Sequence, residues 1–171
     1  MNQMGYNRLM NDFKMCNEDN DLIQIGCNFG LENNDYYKWR VTMLGPADTP
    51  YENGQFTIQV IFPRDYPNHG PEFIFLNKIY HLNVNCCGNP HYKAGHICLN
   101  TINQWQNIGK VDDKPFYDIK QALFDIFCLF FNQGTDSPYS SEMAKLFRDN
   151  PEEFNKIAKE WTQNYAKFLE Y

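Results

Sequence analysis

The chain has 171 residues and a formal net charge of −6 at pH 7, so it lacks the excess of Lys and Arg that binds nucleic acid or an anionic membrane surface. Hydrophobic residues make up 43% of the sequence and aromatic residues 16%, which excludes a disordered chain and is enough for a full core. We therefore expect residues 1–171 to form one compact domain without an extension, and neither nucleic acid nor a membrane as a partner.

The first half of the chain predicts one helix followed by strands. Apolar residues at helical spacing indicate an amphipathic helix over residues 5–17. β-branched and aromatic residues then alternate with polar ones, as is typical of half-buried strands. This pattern predicts strands over residues 22–28, 37–44, 55–62 and 73–75, and the short links between them predict an antiparallel meander.

The second half predicts a long loop and three helices. Residues 76–115 lack periodicity, and so long an irregular stretch in a compact domain is usually functional. Helical spacing returns between Ile119 and Phe130 in a segment that is apolar nearly all round, so we expect a central buried helix. Ser140 and Asn150 are candidate caps of two further helices. The inward stripe predicted for the last helix is Phe154, Ile157, Ala158, Trp161, Tyr165 and Phe168. The predicted fold class is α+β: an N-terminal helix, a four-stranded antiparallel meander, a long active-site loop, then central and C-terminal helices.

The amino terminus and the cysteines bear on the compartment. Met-Asn-Gln-Met-Gly has no charged start followed by an apolar core, so it does not predict a secretory signal, and we expect an intracellular protein of the cytoplasm, the nucleus or both. The longest apolar stretch, residues 122–131, contains Asp125 and is shorter than the roughly 20 residues that span a bilayer. We expect the six cysteines to be free thiols, as is usual inside the cell.

Residues 80–99 are the most informative stretch, because they supply one isolated thiol, Cys98, and an amide side chain, Asn83. Such a pair contains no general base, so it suits chemistry in which the incoming group is already an activated thioester. Taken alone, Cys98 is also compatible with an inert buried cysteine, and Asn83 with a turn-forming residue. The wider pattern of the chain favours the functional interpretation.

A series of motifs runs in order through nearly the whole chain. They are Gly45-Pro46, Thr49-Pro50-Tyr51-Glu52-Asn53-Gly54-Gln55-Phe56, Phe62-Pro63-Arg64-Asp65-Tyr66-Pro67, Ile79-Tyr80-His81-Leu82-Asn83, Gly95-His96-Ile97-Cys98-Leu99, Trp105, Asp136-Ser137-Pro138 and Trp161-Thr162-Gln163-Asn164-Tyr165-Ala166. In their order and spacing these motifs resemble the ubiquitin-conjugating enzymes, the carriers that take ubiquitin as a thioester from the activating enzyme and pass it on.

The resemblance implies a transferase in which Cys98 accepts ubiquitin as a thioester and passes it to a lysine amine of a substrate. It assigns the motif asparagine to Asn83, which would either stabilise the oxyanion or hold the loop in place, and it gives His81 a structural role. Asp136 and Ser137 would border the incoming lysine, although read alone they form a turn before a helix. The implied partners are ubiquitin, the activating enzyme, a ubiquitin ligase and a protein substrate, for a monomer without metal or organic cofactor, since the activating enzyme consumes the ATP.

Near Cys98 the chain departs from the pattern of the family that it resembles. Leu82 stands where a proline is usual, and residues 84–94, here called the insertion loop, lengthen the spacing to Cys98. We expect no metal site from Cys86, Cys87, His91 and His96, because adjacent cysteines rarely close on one tetrahedral ion.

Three alternatives remain beside the ubiquitin carrier. The first is an inactive scaffold of the same fold that binds ubiquitin, and the second is a carrier of a ubiquitin-like modifier. The third is a cysteine hydrolase using Cys98 and His96, in which the histidine is poorly placed and the other motifs go unexplained. The presence of both Cys98 and Asn83 favours an active carrier over a scaffold.

Overall fold

A computed structural model describes residues 3–99, 105, 110–111, 114–115, 118–134 and 138–169. The elements follow in the order α1 (Gln3–Glu18), α2 (Asn20–Gln24), β1 (Asn28–Glu32), β2 (Asp35–Leu44), β3 (Gln55–Ile61), β4 (Glu72–Phe75), β5 (Lys110–Val111), β6 (Lys114–Pro115), α3 (Ile119–Leu129), α4 (Ser141–Asp149) and α5 (Pro151–Tyr165). The first four strands form one sheet in the order β1-β2-β3-β4, with each neighbouring pair antiparallel. The α+β fold and the antiparallel meander are thereby confirmed.

The strand predicted over residues 22–28 is wrong. Residues 22–24 belong to the short helix α2, and the first strand begins only at Asn28. The carboxylate of Asp19 starts the helix by accepting hydrogen bonds from the backbone N–H groups of Asp21 and Leu22. Over so few residues, alternation does not distinguish a strand from one turn of helix that buries Leu22.

The N-terminal helix packs on the sheet through aromatic side chains. The ring of Phe13 meets that of Trp39 edge to face, with 5.1 Å between ring centroids, and Trp39 lies 4.6 Å from the ring of Phe62. Such pairs contribute beyond the apolar area that they bury. The predicted helix is confirmed, and its buried face includes Leu9 and Cys16.

The predicted helix between Ile119 and Phe130 is confirmed as α3, which begins at Ile119 after its cap, Asp118. It is less uniformly buried than its composition indicates, because Gln121 and Cys128 are exposed. Phe130, directly after the helix, contacts three rings of the core at centroid distances of 5.1 to 6.2 Å: Tyr51, Phe56 and Phe75. The end of α3 is thus fixed against the sheet.

The caps predicted for the last two helices are confirmed, since the side chains of Ser140 and Asn150 each accept a backbone N–H of the helix that follows. The predicted inward stripe of α5 is wrong at its end. Tyr165 is 42% exposed and Phe168 57% exposed, while Thr162 is buried instead. The reason is a close approach at Gly54, where a Cβ atom would lie 2.7 Å from the methyl group of Thr162. Only small side chains fit between this part of α5 and the chain entering β3.

In the described part of the long segment between β4 and α3, β5 and β6 form a short antiparallel ladder that the sequence does not indicate. In the same segment, the buried indole of Trp105 donates a hydrogen bond of 3.1 Å to the backbone oxygen of Pro67.

In the part of the chain that the structure describes, no helix combines the length and the apolar character that crossing a membrane requires.

Asn77 ties the sheet to the end of α5. Its buried side-chain oxygen accepts the N–H of Thr57 at 2.7 Å, and its amide nitrogen donates to the backbone oxygens of Tyr165 and Lys167 at 2.9 and 3.0 Å. One side chain therefore satisfies three backbone groups from two distant parts of the chain.

Replacing Asn77 with Ala should lower the free energy of unfolding by about 2–4 kcal/mol, because buried backbone groups lose their partner. Urea denaturation followed by circular dichroism measures this loss. The matched control is Asn155→Ala, at an exposed position of α5, for which we expect a change within about 0.5 kcal/mol. Equal stability of Asn77→Ala and the wild type would contradict the assigned role.

Candidate active site

The segment that carries the candidate thiol, residues 95–98, lies beside the edge strand β4. The N–H of Phe75 donates to the backbone oxygen of Gly95 at 2.8 Å, and the N–H of Ile97 donates to that of Phe73 at 3.3 Å. Gly95 makes this approach possible: its φ is +87°, and a Cβ atom there would lie 2.0 Å from the backbone oxygen of Phe75. A larger residue would push the segment off the sheet.

The other side of the same segment is hydrogen-bonded to the residues around Asn83. The N–H of Asn85 donates to the oxygen of His96 at 2.9 Å, and the N–H of Gly95 donates to the oxygen of Asn85 at 2.7 Å. The N–H of Cys98 then donates to the backbone oxygen of Asn83 at 2.8 Å. The backbone of the candidate nucleophile is therefore held directly by the candidate amide residue.

The six cysteines differ in their access to solvent, and all of them are thiols rather than disulfides. Cys16 and Cys27 are buried, and desolvation raises the pKa of each thiol to about 12. Burial also raises the pKa of Cys86, to about 11. Thiols with raised pKa values are weak nucleophiles. Cys98 lies at the end of residues 95–98, the segment that is hydrogen-bonded on both sides, and it is partly exposed.

His81 is buried, and both of its ring nitrogens have backbone partners. Nε2 lies 2.9 Å from the backbone oxygen of Leu129, at the end of α3, and Nδ1 accepts the N–H of Asn83 at 3.0 Å. These contacts fix the tautomer: Nε2 carries the hydrogen and Nδ1 is an acceptor. Desolvation lowers the pKa of His81 to about 4, so the ring is neutral at physiological pH.

The side chain of Asn83 is engaged with the loop that follows α3. Its oxygen accepts the N–H of Gly134 at 2.8 Å, and its nitrogen donates to the backbone oxygen of Gly134 at 3.2 Å. Asn83 is 5% exposed. Both ends of the amide thus bind the same peptide residue, which fixes the position of that loop.

Leu82, where proline is usual in the family that the sequence resembles, has a backbone N–H that the structure uses. It donates to the side-chain oxygen of Gln133 at 3.1 Å. The side-chain nitrogen of Gln133 donates to the hydroxyl of Tyr51 at 3.0 Å, and that hydroxyl donates to the backbone oxygen of Tyr80 at 2.9 Å. This chain of hydrogen bonds holds the peptide that a proline ring would otherwise restrain.

Asparagine side chains give the insertion loop its shape. Asn85 donates to the backbone oxygen of Tyr92 at 3.1 Å and accepts the N–H of Gly88 at 3.0 Å. The side-chain oxygen of Asn89 accepts the N–H groups of His91 and Tyr92 at 2.9 and 2.8 Å. Asparagine closes turns in this way through its own side chain. The loop is therefore folded back on itself beside the candidate thiol.

A histidine and two tyrosines pack together next to Cys98. Nδ1 of His96 lies 2.6 Å from the hydroxyl of Tyr139, and the ring of Tyr92 lies 4.4 Å from the ring of His96. The backbone N–H of Tyr139 donates to the oxygen of Leu82 at 3.0 Å. These contacts join the insertion loop, the thiol-bearing segment and the residues before α4.

Sequence reasoning placed Asn83 and Cys98 in one site, and the structure brings them together with His81. Asp136 and Ser137 lie outside the described residues, so their proximity to the incoming lysine stays a prediction. Gln133, Gly134 and Tyr139 were not predicted as site residues. Position in the chain offers one signal, because all three flank the Asp-Ser-Pro motif.

The possible metal ligands are spread over the surface of the site. The thiols of Cys86 and Cys87 lie 3.4 Å apart, while His91 is exposed and the ring of His96 is engaged with Tyr139. Within the ranges that the structure describes, no group of three or more His, Cys, Asp or Glu residues could hold a metal ion.

Comparison with known proteins identifies the family of the chain. The family model for ubiquitin-conjugating enzymes matches residues 8–162. The E2 domain of a ubiquitin-conjugating enzyme from Toxoplasma gondii is 30% identical, with 94% of this chain and 98% of that chain covered and a TM-score of 0.74. A Plasmodium yoelii protein assigned to the ubiquitin-conjugating enzymes is 29% identical, with 99% of each chain covered and a TM-score of 0.80. With a matching family model over most of its length and the same fold, this chain belongs to the ubiquitin-conjugating enzyme family.

Proposed function

We propose that the chain accepts ubiquitin from the activating enzyme as a thioester on Cys98 and transfers it, together with a ubiquitin ligase, to a lysine amine of a protein substrate. The observation that carries this proposal is the setting of Cys98, a partly exposed thiol whose backbone N–H is held by Asn83 at 2.8 Å. Membership of the family supports interactions with ubiquitin, activating enzymes and ubiquitin ligases in general.

The proposed reaction requires mainly that the reacting groups be positioned correctly. Exchange of an acyl group between two thiols is nearly neutral in energy, and attack of an amine on the thioester is downhill, so the protein has to align the reacting groups and exclude water. We therefore propose a monomeric carrier that works inside the cell without metal or organic cofactor, while the activating enzyme consumes ATP.

The hydrogen bonds favour a supporting role for the two motif residues. Each end of the Asn83 amide already binds Gly134, and both ring nitrogens of His81 have backbone partners. A ring held in this way is poorly suited to transfer protons. We propose that His81 and Asn83 keep the thiol-bearing segment and the loop after α3 in register with each other.

The carrier activity is tested by mixing the protein with activating enzyme, ATP and ubiquitin and running the products on a gel with and without reductant. We expect an adduct that reductant removes, and with Cys98→Ser an adduct that resists it, because the ester of serine does not exchange with thiols. Cys128→Ser, at an exposed cysteine of α3, serves as the matched control and should form the ordinary thioester.

Other outcomes separate the alternatives. An adduct that persists in Cys98→Ala would place the acceptor on another cysteine. An adduct with a ubiquitin-like modifier but not with ubiquitin would identify the chain as a carrier of that modifier. The absence of an adduct with either protein would contradict the carrier function and favour the inactive scaffold.

Asn83→Ala should weaken stability and transfer together. The variant leaves both peptide groups of Gly134 without their partner, so we expect a loss of about 1–3 kcal/mol in the free energy of unfolding and discharge to lysine slowed by about tenfold or more. The measurements are urea unfolding and single-turnover discharge of the loaded carrier. Asn132→Ala, an exposed neighbour in the same loop, should change neither quantity. Slow discharge with full stability would instead support a direct role at the oxyanion.

His81 should make stability depend on pH. The unfolded side chain titrates at 6.5 and the folded one at about 4, so its contribution is complete above pH 6.5 and is lost as the pH falls toward 4. The full loss amounts to about 3 kcal/mol. In urea unfolding between pH 4.5 and 7, His81→Gln should flatten this dependence, whereas His91→Gln, at an exposed position, should retain it. Equal slopes for the wild type and His81→Gln would refute the buried neutral ring.

A further inference from the structure

His96 and Cys98 lie on the same face of the thiol-bearing segment. Side chains alternate along extended backbone, and the residue between these two, Ile97, is buried and forms an antiparallel bridge with Val84. His96 and Cys98 therefore both point away from the core, and both are partly exposed. An imidazole and the candidate acceptor thiol share one surface.

Tyr139 completes this surface from another part of the chain. Its hydroxyl lies 2.6 Å from Nδ1 of His96, and its backbone is held by Leu82. Tyr92 packs on the histidine as well, with 4.4 Å between the ring centroids, and its own ring lies 6.2 Å from that of Tyr139. The imidazole is thus held in a cluster of three rings, and its Nδ1 is directed to the hydroxyl of Tyr139.

Burial keeps both His96 and Tyr139 neutral. Burial lowers the pKa of His96, against the opposing effect of the Glu72 carboxylate on β4. Burial raises the pKa of Tyr139, and the thiol of Cys98 and the hydroxyl of Tyr92 act in the same direction. Near pH 7 a neutral imidazole therefore faces a protonated phenol. When the phenol donates to Nδ1, its oxygen still has lone pairs for a second donor.

We propose that Tyr139 and His96 shuttle the proton that an amine must lose when it attacks the thioester on Cys98. The inference rests on the proposed function and deepens it. The amine nitrogen forms a bond to the carbonyl carbon and passes one proton to the oxygen of Tyr139, whose own proton moves to Nδ1 of His96. The bond from carbon to sulfur then breaks, and the proton returns through Tyr139 to the departing sulfur. The products are an amide and the thiol, so no other reactant is needed.

The shuttle acts on amines and not on thiols. A thiolate that attacks the thioester has no proton to lose, so exchange between thiols does not use Tyr139. General acid–base groups contribute roughly 10²- to 10⁴-fold, and water replaces part of that effect when the group is removed. The signature of the shuttle is therefore a change in the preference between two nucleophiles, which a general distortion of the site would not produce.

The experiment uses the full chain loaded with ubiquitin, after the activating enzyme has been stopped by chelating magnesium. Discharge is followed with free lysine and, separately, with 2-mercaptoethanesulfonate as the thiol. In Tyr139→Phe we expect the ratio of the lysine rate to the thiol rate to fall about tenfold or more, and in His96→Gln to fall as well. The phenylalanine keeps the ring beside Tyr92, whose centroid is 6.2 Å away. Tyr36→Phe, at a tyrosine that packs on α1, is the matched control and should keep the wild-type ratio.

Three results would overturn the shuttle. Unchanged rates with both nucleophiles in Tyr139→Phe show that the hydroxyl takes no part, and an equal slowing with both nucleophiles shows that the pair only supports the local structure. A lower ratio in Tyr139→Phe with a wild-type ratio in His96→Gln removes the histidine from the path. Failure of the wild type to form a thioester at all would instead refute the proposed function, and the shuttle with it.

Discussion

The buried ring of His81 joins the end of α3 to the backbone of Asn83, and the position of the thiol depends on that junction. Asn83 passes the constraint on, because its carbonyl holds the N–H of Cys98 and its side chain holds Gly134. A protonated ring could not accept the N–H of Asn83, so the geometry requires the neutral form. The desolvation of His81 is therefore part of how the site is built and not a by-product of packing.

Where a proline would restrain the chain through a covalent ring, this protein uses hydrogen bonds from Leu82 through Gln133 to Tyr51. Each such bond contributes about 1 kcal/mol to stability, so the restraint is reversible in a way that a pyrrolidine ring is not. Burial raises the pKa of Tyr51, which keeps its hydroxyl able to donate to Tyr80. The departure at Leu82 is thus compensated within the same loop.

Local signals were enough for much of the fold. The caps at Ser140 and Asn150 follow from residue type alone, and the short links between the predicted strands indicate the antiparallel meander. The helix at residues 20–24 and the exposure of Tyr165 could not be predicted, since the first depends on a cap acting over five residues and the second on a distant contact at Gly54.

The same distinction applies to the site. Ordered motifs bring Asn83 and Cys98 together, but the contact of His96 with Tyr139 joins residues that are 43 positions apart in the chain. No periodicity encodes such a meeting. The contact depends on how the asparagines close the insertion loop and on the position in which Gln133 and Gly134 hold the backbone after α3.

The attachment of Asn77 bears on where the folding unit ends. The family model stops at residue 162, yet the side chain of Asn77 donates to the backbone oxygens of Tyr165 and Lys167, and the N–H of Gln55 donates to the backbone oxygen of Ala166. The bounds of a family model mark where its pattern ends, whereas cooperativity is set by which backbone groups must be satisfied together. The domain that unfolds as one piece therefore extends past residue 162, and trimming the protein at that residue would expose the end of the sheet.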